Sequence, residues 1–183
     1  MTVAGNRGAL LDARAIERAL DHMAVEIISL AGSAERLVLV GIQRRGVELA
    51  ERLRQLISAK TGVDVECGAL DITLYRDDLE TVGPRPLVGE TRLPGELSGK
   101  SVVIVDDVLY TGRTVRAALD ELADFGRPSR IGLAVLIDRG GRELPIQADV
   151  VGTKVDARRG DRVDVLLEEV DGRDAVELVR DGS

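Results

Sequence analysis

Val102-Val103-Ile104-Val105-Asp106-Asp107-Val108-Leu109-Tyr110-Thr111-Gly112-Arg113-Thr114 opens with four consecutive β-prone apolar residues, which predict a short strand covered on both faces. The strand runs straight into two adjacent carboxylates. Thr111-Gly112-Arg113-Thr114 follows a few residues later, and then an amphipathic run of helical period from Val115 to Phe125. A strand, a tight Thr/Gly turn and a helix start make an anion cradle, because hydroxyls and unpaired backbone N–H groups converge at the positive end of the helix. Carboxylates just ahead of such a cradle would repel a phosphate, so they need a different task. Two adjacent acids can accept hydrogen bonds from a vicinal diol, and they can hold a hydrated Mg²⁺ through its waters. The ligand implied is a sugar phosphate, with hydroxyls at Asp106 and Asp107 and phosphate at the turn. The alternative cradle, Gly-x-x-x-x-Gly-Lys-Ser/Thr, occurs nowhere in the chain.

Composition narrows the class. With 183 residues and an apolar fraction of 44%, the chain reads as one globular domain, 1–183, with a substantial core. Cys67 is the only cysteine, which excludes an intramolecular disulfide and fits a reducing compartment. No leader, membrane-spanning run or lipidation motif is visible, so a cytoplasmic protein with no membrane partner is expected. A net charge of −7 disfavours non-specific nucleic-acid binding but leaves room for a local basic patch. His22 is the only histidine, which weakens any two-histidine metal site or serine–histidine–acid triad.

Outward from the central stretch, strands alternate with helices. Residues 1–10 read as a loose tail. Asp12 is placed to cap a helix with the apolar stripe Ile16, Ala19, Leu20, Met23, Ile27 and Leu30. Leu37-Val38-Leu39-Val40 reads as a second buried strand, then Gly41-Ile42-Gln43-Arg44-Arg45-Gly46 and a helix over about 47–59. Residues 63–75 are β-prone in their second half. Residues 76–99, polar and rich in Pro and Gly, read as a flexible active-site loop. A strand over 131–137 and two β-prone runs, 163–167 and 176–179, complete the chain. This order predicts an α/β fold: a mostly parallel, doubly wound sheet with helices on both faces and a small β-rich appendage. Ligands of such sheets sit outside the carboxyl ends of the strands. Three loops qualify, at 41–46, 106–114 and 138–147. In the first, backbone N–H groups with Arg44 and Arg45 suit a diphosphate, although a solvated charged turn has the same composition.

The 102–114 pattern resembles the phosphoribosyl-diphosphate (PRPP) loop of type I phosphoribosyltransferases. Leu70 to Leu79, Asp106 to Thr114, and Asp138-Arg139-Gly140 with Arg142-Glu143-Leu144-Pro145-Ile146 look like the pyrimidine operon attenuator proteins. These are RNA-binding regulators of pyrimidine biosynthesis that are also uracil phosphoribosyltransferases. The likeness runs from about residue 10 to 180. It implies the type I phosphoribosyltransferase fold, with the β-rich part as its hood, and the reaction of uracil with PRPP to give UMP and diphosphate. It also implies Mg²⁺ held through waters near Asp106 and Asp107, a homo-oligomer built from dimers, and UMP-dependent binding to a pyrimidine-operon mRNA leader.

Residue by residue, the same likeness makes Asp106, Asp107 and Arg44 catalytic and gives PRPP the loop Asp106, Asp107, Val108, Leu109, Tyr110, Thr111, Gly112, Arg113 and Thr114. Gly41, Gln43, Arg44 and Arg45 would take the diphosphate, Arg76, Asp77 and Arg92 would belong to a loop closing over it, and Ile137, Asp138 and Arg139 would meet the base, largely through backbone groups. Tyr110 stands where purine-using relatives carry a carboxylate, and it has no such basicity at neutral pH. Arg18, Arg142, Lys154 and Arg158 are the RNA-binding candidates. Family members commonly show His-Arg after Asp-Arg-Gly, where this chain has Gly141-Arg142, and Asp21, His22 and Val25 replace positions that are often Thr, Arg and His. The catalytic blocks are intact and the RNA surface is eroded. Two alternatives stay open: an RNA-binding nucleotide sensor with vestigial transferase activity, and a phosphoribosyltransferase for another base without RNA binding.

Overall fold

The computed structural model describes residues 7–75 and 90–181. Five strands form a parallel sheet: β2 (Leu37–Ile42), β3 (Glu66–Leu70), β4 (Ser101–Leu109), β5 (Arg130–Asp138) and β6 (Val150–Lys154). Their spatial order is β3-β2-β4-β5-β6. A second, antiparallel sheet takes β1 (Arg7–Leu11), β7 (Arg162–Leu166) and β8 (Ala175–Val179) in the order β1-β8-β7. The helices are α1 (Ala13–Ala31), α2 (Arg45–Thr61), α3 (Arg113–Leu122) and the single turn α4 (Glu168–Asp171).

Strand alternation decides which helix covers which face. Leu37, Leu39, Val103, Val105 and Leu136 meet Ile16, Leu20, Met23 and Ile27 of α1 and Leu49, Leu53 and Ile57 of α2. Val38, Val40, Val102, Ile104, Leu133 and Val135 point the other way, onto Val115, Ala118 and Leu122 of α3. Every residue of β2 is buried, and each such Leu, Ile or Val contributes roughly 1.5–3 kcal/mol. Asp12 caps α1 as expected, its Oδ1 accepting the Ala15 N–H at 2.8 Å. The doubly wound sheet with helices on both faces is therefore the observed architecture. From β2 the chain winds through α2 to β3 on one side. From β4 it winds through α3 to β5 and β6 on the other, so the crossover direction reverses between β2 and β4. Their carboxyl ends open a crevice there.

Two expectations need correction. Residues 7–10 are not a loose tail: they belong to β1, paired with β8 from Arg7 opposite Val179 onward, with Arg7 Nη1 bonded to Glu177 at 2.9 Å. A short strand of this composition has no local signal because its partner, 170 residues away, defines it. The loop expected over 76–99 is anchored in its last part. Arg92 and Ala69 exchange backbone hydrogen bonds at 2.7 and 2.9 Å, Thr91 donates to the buried carboxylate of Glu121, and Leu97 is fully buried. β6 carries no sequence expectation at all; it is a short edge strand laid against β5. No described helix is long and apolar enough to cross a membrane.

Candidate active site

At the end of β4 the chain turns through Gly112, which caps α3 in the left-handed region, and the Arg113 N–H at the helix start donates to the Thr111 hydroxyl at 3.3 Å. The first-turn amides of α3 thus border a cleft of about 380 Å³ lined by Asp106, Tyr110, Thr111, Gly112, Thr114 and Glu143, among others. Glu143 and Leu144 donate their N–H groups to the Thr111 carbonyl at 3.0 and 3.1 Å and hold the turn open from outside. Arg113 pairs with Glu143 at 3.0 Å at the edge of the same cleft. Asp106 is only 6% exposed. Burial, and next the charge of Asp107, pushes its carboxyl well above the usual range. Each acid also accepts a backbone N–H from the residue after it, Asp106 from Asp107 at 2.9 Å and Asp107 from Val108 at 2.8 Å. The site thus joins a positive helix end to Asp106, a buried carboxyl under strong pressure to acquire a proton or a cation, with Asp107 next to it.

The turn after β2 lies beside the acid pair. The Gln43–Arg44 peptide bond is cis, and the Gln43 N–H donates to the Leu70 carbonyl at 2.9 Å. A Cβ on Gly46 would lie 2.5 Å from the Val105 carbonyl oxygen and 3.3 Å from the Asp106 Cα. Only glycine lets α2 start hard against β4 there, and this brings the turn beside the two acids. Arg44 is exposed at that point. Arg45 departs from expectation. It makes a two-point contact with Asp171, at 2.8 and 3.2 Å, and that hydrogen bond, followed by the fields of Asp171 and Asp107, strengthens its hold on its proton. The Gln43 side chain is likewise engaged, with the Glu90 carbonyl at 3.0 Å.

The residues expected to meet a base are mostly closed off. Ile137 is fully buried in the α1/α2 core, between Val108 and Thr153 in the sheet. Asp138 accepts from Arg142 Nη2 at 2.7 Å and from the Gly140 N–H at 3.0 Å. Burial alone would raise its carboxyl; these two bonds outweigh it and hold the group below the usual range. Arg139 is buried, and its donors go to the carbonyls of Asp161 and Arg158 at 2.7 and 2.9 Å. Arg142, expected at the RNA surface, instead braces this corner through the Ile146, Tyr110 and Gly140 carbonyls as well as Asp138. Asp138, Gly140 and Ile146 lie within four residues of Arg142, but the Tyr110 carbonyl, 32 residues away, is brought to it only by the fold. What stays open is a second cleft of about 340 Å³, lined by Tyr110, Gly141, Arg142, Glu143, Ala157 and Arg159. Tyr110 and Glu143 border both clefts. Ala157 and Arg159 carry no sequence signal; the turn after β6 delivers them.

Of the other expected residues, Arg18, Lys154 and Arg158 are exposed, and the negative Asp21 is paired with Lys60 at 2.6 Å. Arg92 is exposed and paired with Glu90 at 2.9 Å. Arg76 and Asp77 lie outside the described residues. Among the described residues no three or more His, Cys, Asp or Glu side chains cluster as metal ligands. Asp106 and Asp107 supply hard oxygens in too small a number for a closed cage, which fits a cation whose other ligands are water and substrate oxygens.

A model of the phosphoribosyl transferase domain matches residues 6–165. Bifunctional protein PyrR of Thermus aquaticus is 57% identical over 169 residues, 92% of this chain and 93% of its own. PyrR of Chloroflexus aurantiacus is 56% identical over 176 residues, 96% of this chain and 97% of its own. The chain is a phosphoribosyltransferase of the bifunctional PyrR family. This PyrR-family chain shares its fold with a hypoxanthine phosphoribosyltransferase from Trypanosoma cruzi, at a TM-score of 0.73 and 19% identity over 97% of this chain and 96% of that one. A hypoxanthine-guanine phosphoribosyltransferase from Bacillus anthracis superposes at 0.66 with 20% identity, covering 81% and 84% of the two chains. At such identity the likeness speaks for the type I fold alone.

Proposed function

We propose that this chain transfers the phosphoribosyl group of PRPP to uracil, giving UMP and diphosphate. The observation that carries the reading is the 380 Å³ cleft that buried Asp106 lines together with the start of α3, at the point where the winding of the sheet reverses. Thr111, Thr114 and the α3 amides take the 5′-phosphate and fix its orientation. Asp106 and Asp107 accept from the ribose hydroxyls and, as the C1′–O bond to diphosphate breaks, favour the positive charge gathering on the sugar. The exposed Arg44 and the backbone of the Gly41–Gly46 turn receive the departing diphosphate. N1 of uracil then bonds to C1′ and its proton leaves to solvent. Mg²⁺, when bound beside the acid pair, supplies neutralising charge for the diphosphate. Arg76 and Asp77 are assigned to the loop that excludes water.

The base is placed in the 340 Å³ cleft beyond Tyr110, which adjoins the phosphate cleft and has room for one planar ring. Since Ile137, Asp138 and Arg139 are closed off, Tyr110, Ala157 and Arg159 replace them as base neighbours. The PyrR likeness supports regulation through a pyrimidine-operon mRNA leader and assembly from dimers. Because Arg142 is committed to internal bonds, Arg18, Lys154 and Arg158 are left to meet RNA, and binding is expected to be weak and salt-sensitive. Diphosphate release measured with PRPP, Mg²⁺ and each nucleobase in turn tests the assignment. Uracil alone should support turnover; turnover with hypoxanthine or guanine instead would sink it.

A further inference from the structure

We propose that Arg139 is a positioning residue that fixes the Tyr110 ring as the wall of the base cleft, acting through Tyr110 and never touching substrate. The proposal rests on the reading of the 340 Å³ cleft as the base site. Arg139 is 6% exposed and, among the described residues, has no carboxylate within ion-pairing distance. Its Nε has no hydrogen-bond partner. A buried guanidinium without a counter-ion is costly and persists only where its surroundings compensate it. Here the compensation is specific. The Nη atoms grip the carbonyls of Asp161 and Arg158, and the guanidinium carbon lies 3.9 Å from the centre of the Tyr110 ring, a cation–π stack.

The ring is restrained on its other sides too. Its hydroxyl donates to the Arg159 carbonyl at 3.3 Å. Gly141, at φ +78°, leaves no space for a Cβ, which would fall 2.3 Å from Tyr110 Cε2. Arg139 therefore joins the turn at 158–161 to the PRPP loop through one aromatic ring, and that ring separates the two clefts. A planar fork can bond two carbonyls and stack at once; a lysine ammonium cannot.

Steady-state kinetics of Arg139→Lys and Arg139→Met separate this role from general support of the fold. The KM for uracil should rise ~10-fold or more in Arg139→Met while kcat and the KM for PRPP stay within about 3-fold, since misplacing a binding wall acts on the ligand it touches. Arg139→Lys should recover only part of the loss. The chain has two tyrosines and no tryptophan, so in a Tyr75→Phe background Tyr110 emission reports the stack directly. That emission should change in both Arg139 variants, and in protein keeping Arg139 it should respond to UMP more strongly than to ribose 5-phosphate. A wild-type KM for uracil in both variants overturns the proposal, as does a parallel rise of both KM values that tracks lost thermal stability. If Arg139→Met does not fold, Arg139→Gln, which removes the charge and the two-carbonyl fork but keeps a polar side chain, must give the same base-specific rise. Emission blind to UMP while UMP is still formed would move the base to another cleft, and would overturn the underlying reading together with the proposal.

Discussion

The loops that leave β4 and β5 run side by side and use their polar groups in opposite ways. After β4, Thr111, Gly112 and Thr114 turn hydroxyls and amides toward a cleft that Asp106 borders. After β5, Arg139 and Arg142 turn their donors inward, onto the carbonyls of Arg158, Asp161, Ile146 and Tyr110 and the carboxylate of Asp138. One loop is a ligand surface and the other is the scaffold that shapes its wall. Both follow strands and both are rich in charge and glycine, so residue type does not separate them. The number of donors already satisfied by the protein does.

The widest break between the two should come from Asp106→Asn. Losing one pre-placed charge should cost transfer ~10²–10³-fold, measured as UMP formation, while the free protein becomes more stable. The sign follows from the raised carboxyl: the folded state holds this proton more tightly than the unfolded chain. Ionising Asp106 therefore costs stability as pH rises from the ordinary carboxylate range through the folded value. Removing the charge should lift Tm at neutral pH by a few degrees, about 2–4 °C for each kcal/mol recovered in a chain of this size. A variant that is less stable yet fully active would erase the contrast.

Arg142→Met should do the reverse, with stability as the main casualty. Breaking a buried pair costs ~3–5 kcal/mol; with the Arg142 side chain 22% exposed, about 2 kcal/mol is expected from denaturant unfolding. A fully stable variant that has lost only RNA binding would return Arg142 to the nucleic-acid surface. A smaller effect is expected in acid from Asp138→Asn. The Asp138 carboxyl is held below its usual range, so its contribution is present above that range and disappears as pH falls through the folded value. The acid limb of a stability–pH curve should flatten in the variant. Smallest of all should be Asp171→Asn, which releases Arg45 next to the diphosphate turn. Stability should change by about 1 kcal/mol for this half-buried pair, and any kinetic change should fall on the KM for PRPP rather than on kcat.

The legible parts of the chain share one property, that their cause is local. The Asp12 cap, the stripe of α1, the buried run of β2 and the strand–turn–helix at 102–122 each follow from a few neighbouring residues. β1 and β6 were illegible because they are short and exist only by pairing with β8 and β5. The 90–99 segment shows the same limit: polar and broken by Pro and Gly, it reads as loop, yet Leu97 and the Thr91–Glu121 contact tie it down.

By itself, then, the sequence determined the alternation of strands and helices, the anion cradle at the start of α3 and the acid pair before it. Spacing along one backbone sets all three. Only the tertiary structure decided which arginines are ligand and which are brace. Arg44 stays exposed, while Arg45 is drawn to Asp171, Arg142 to Asp138, and Arg139 under Tyr110. A guanidinium reaches several ångströms from its own backbone, so its partner is set by whichever carbonyl or carboxylate the fold carries within reach, 126 residues away in the case of Asp171.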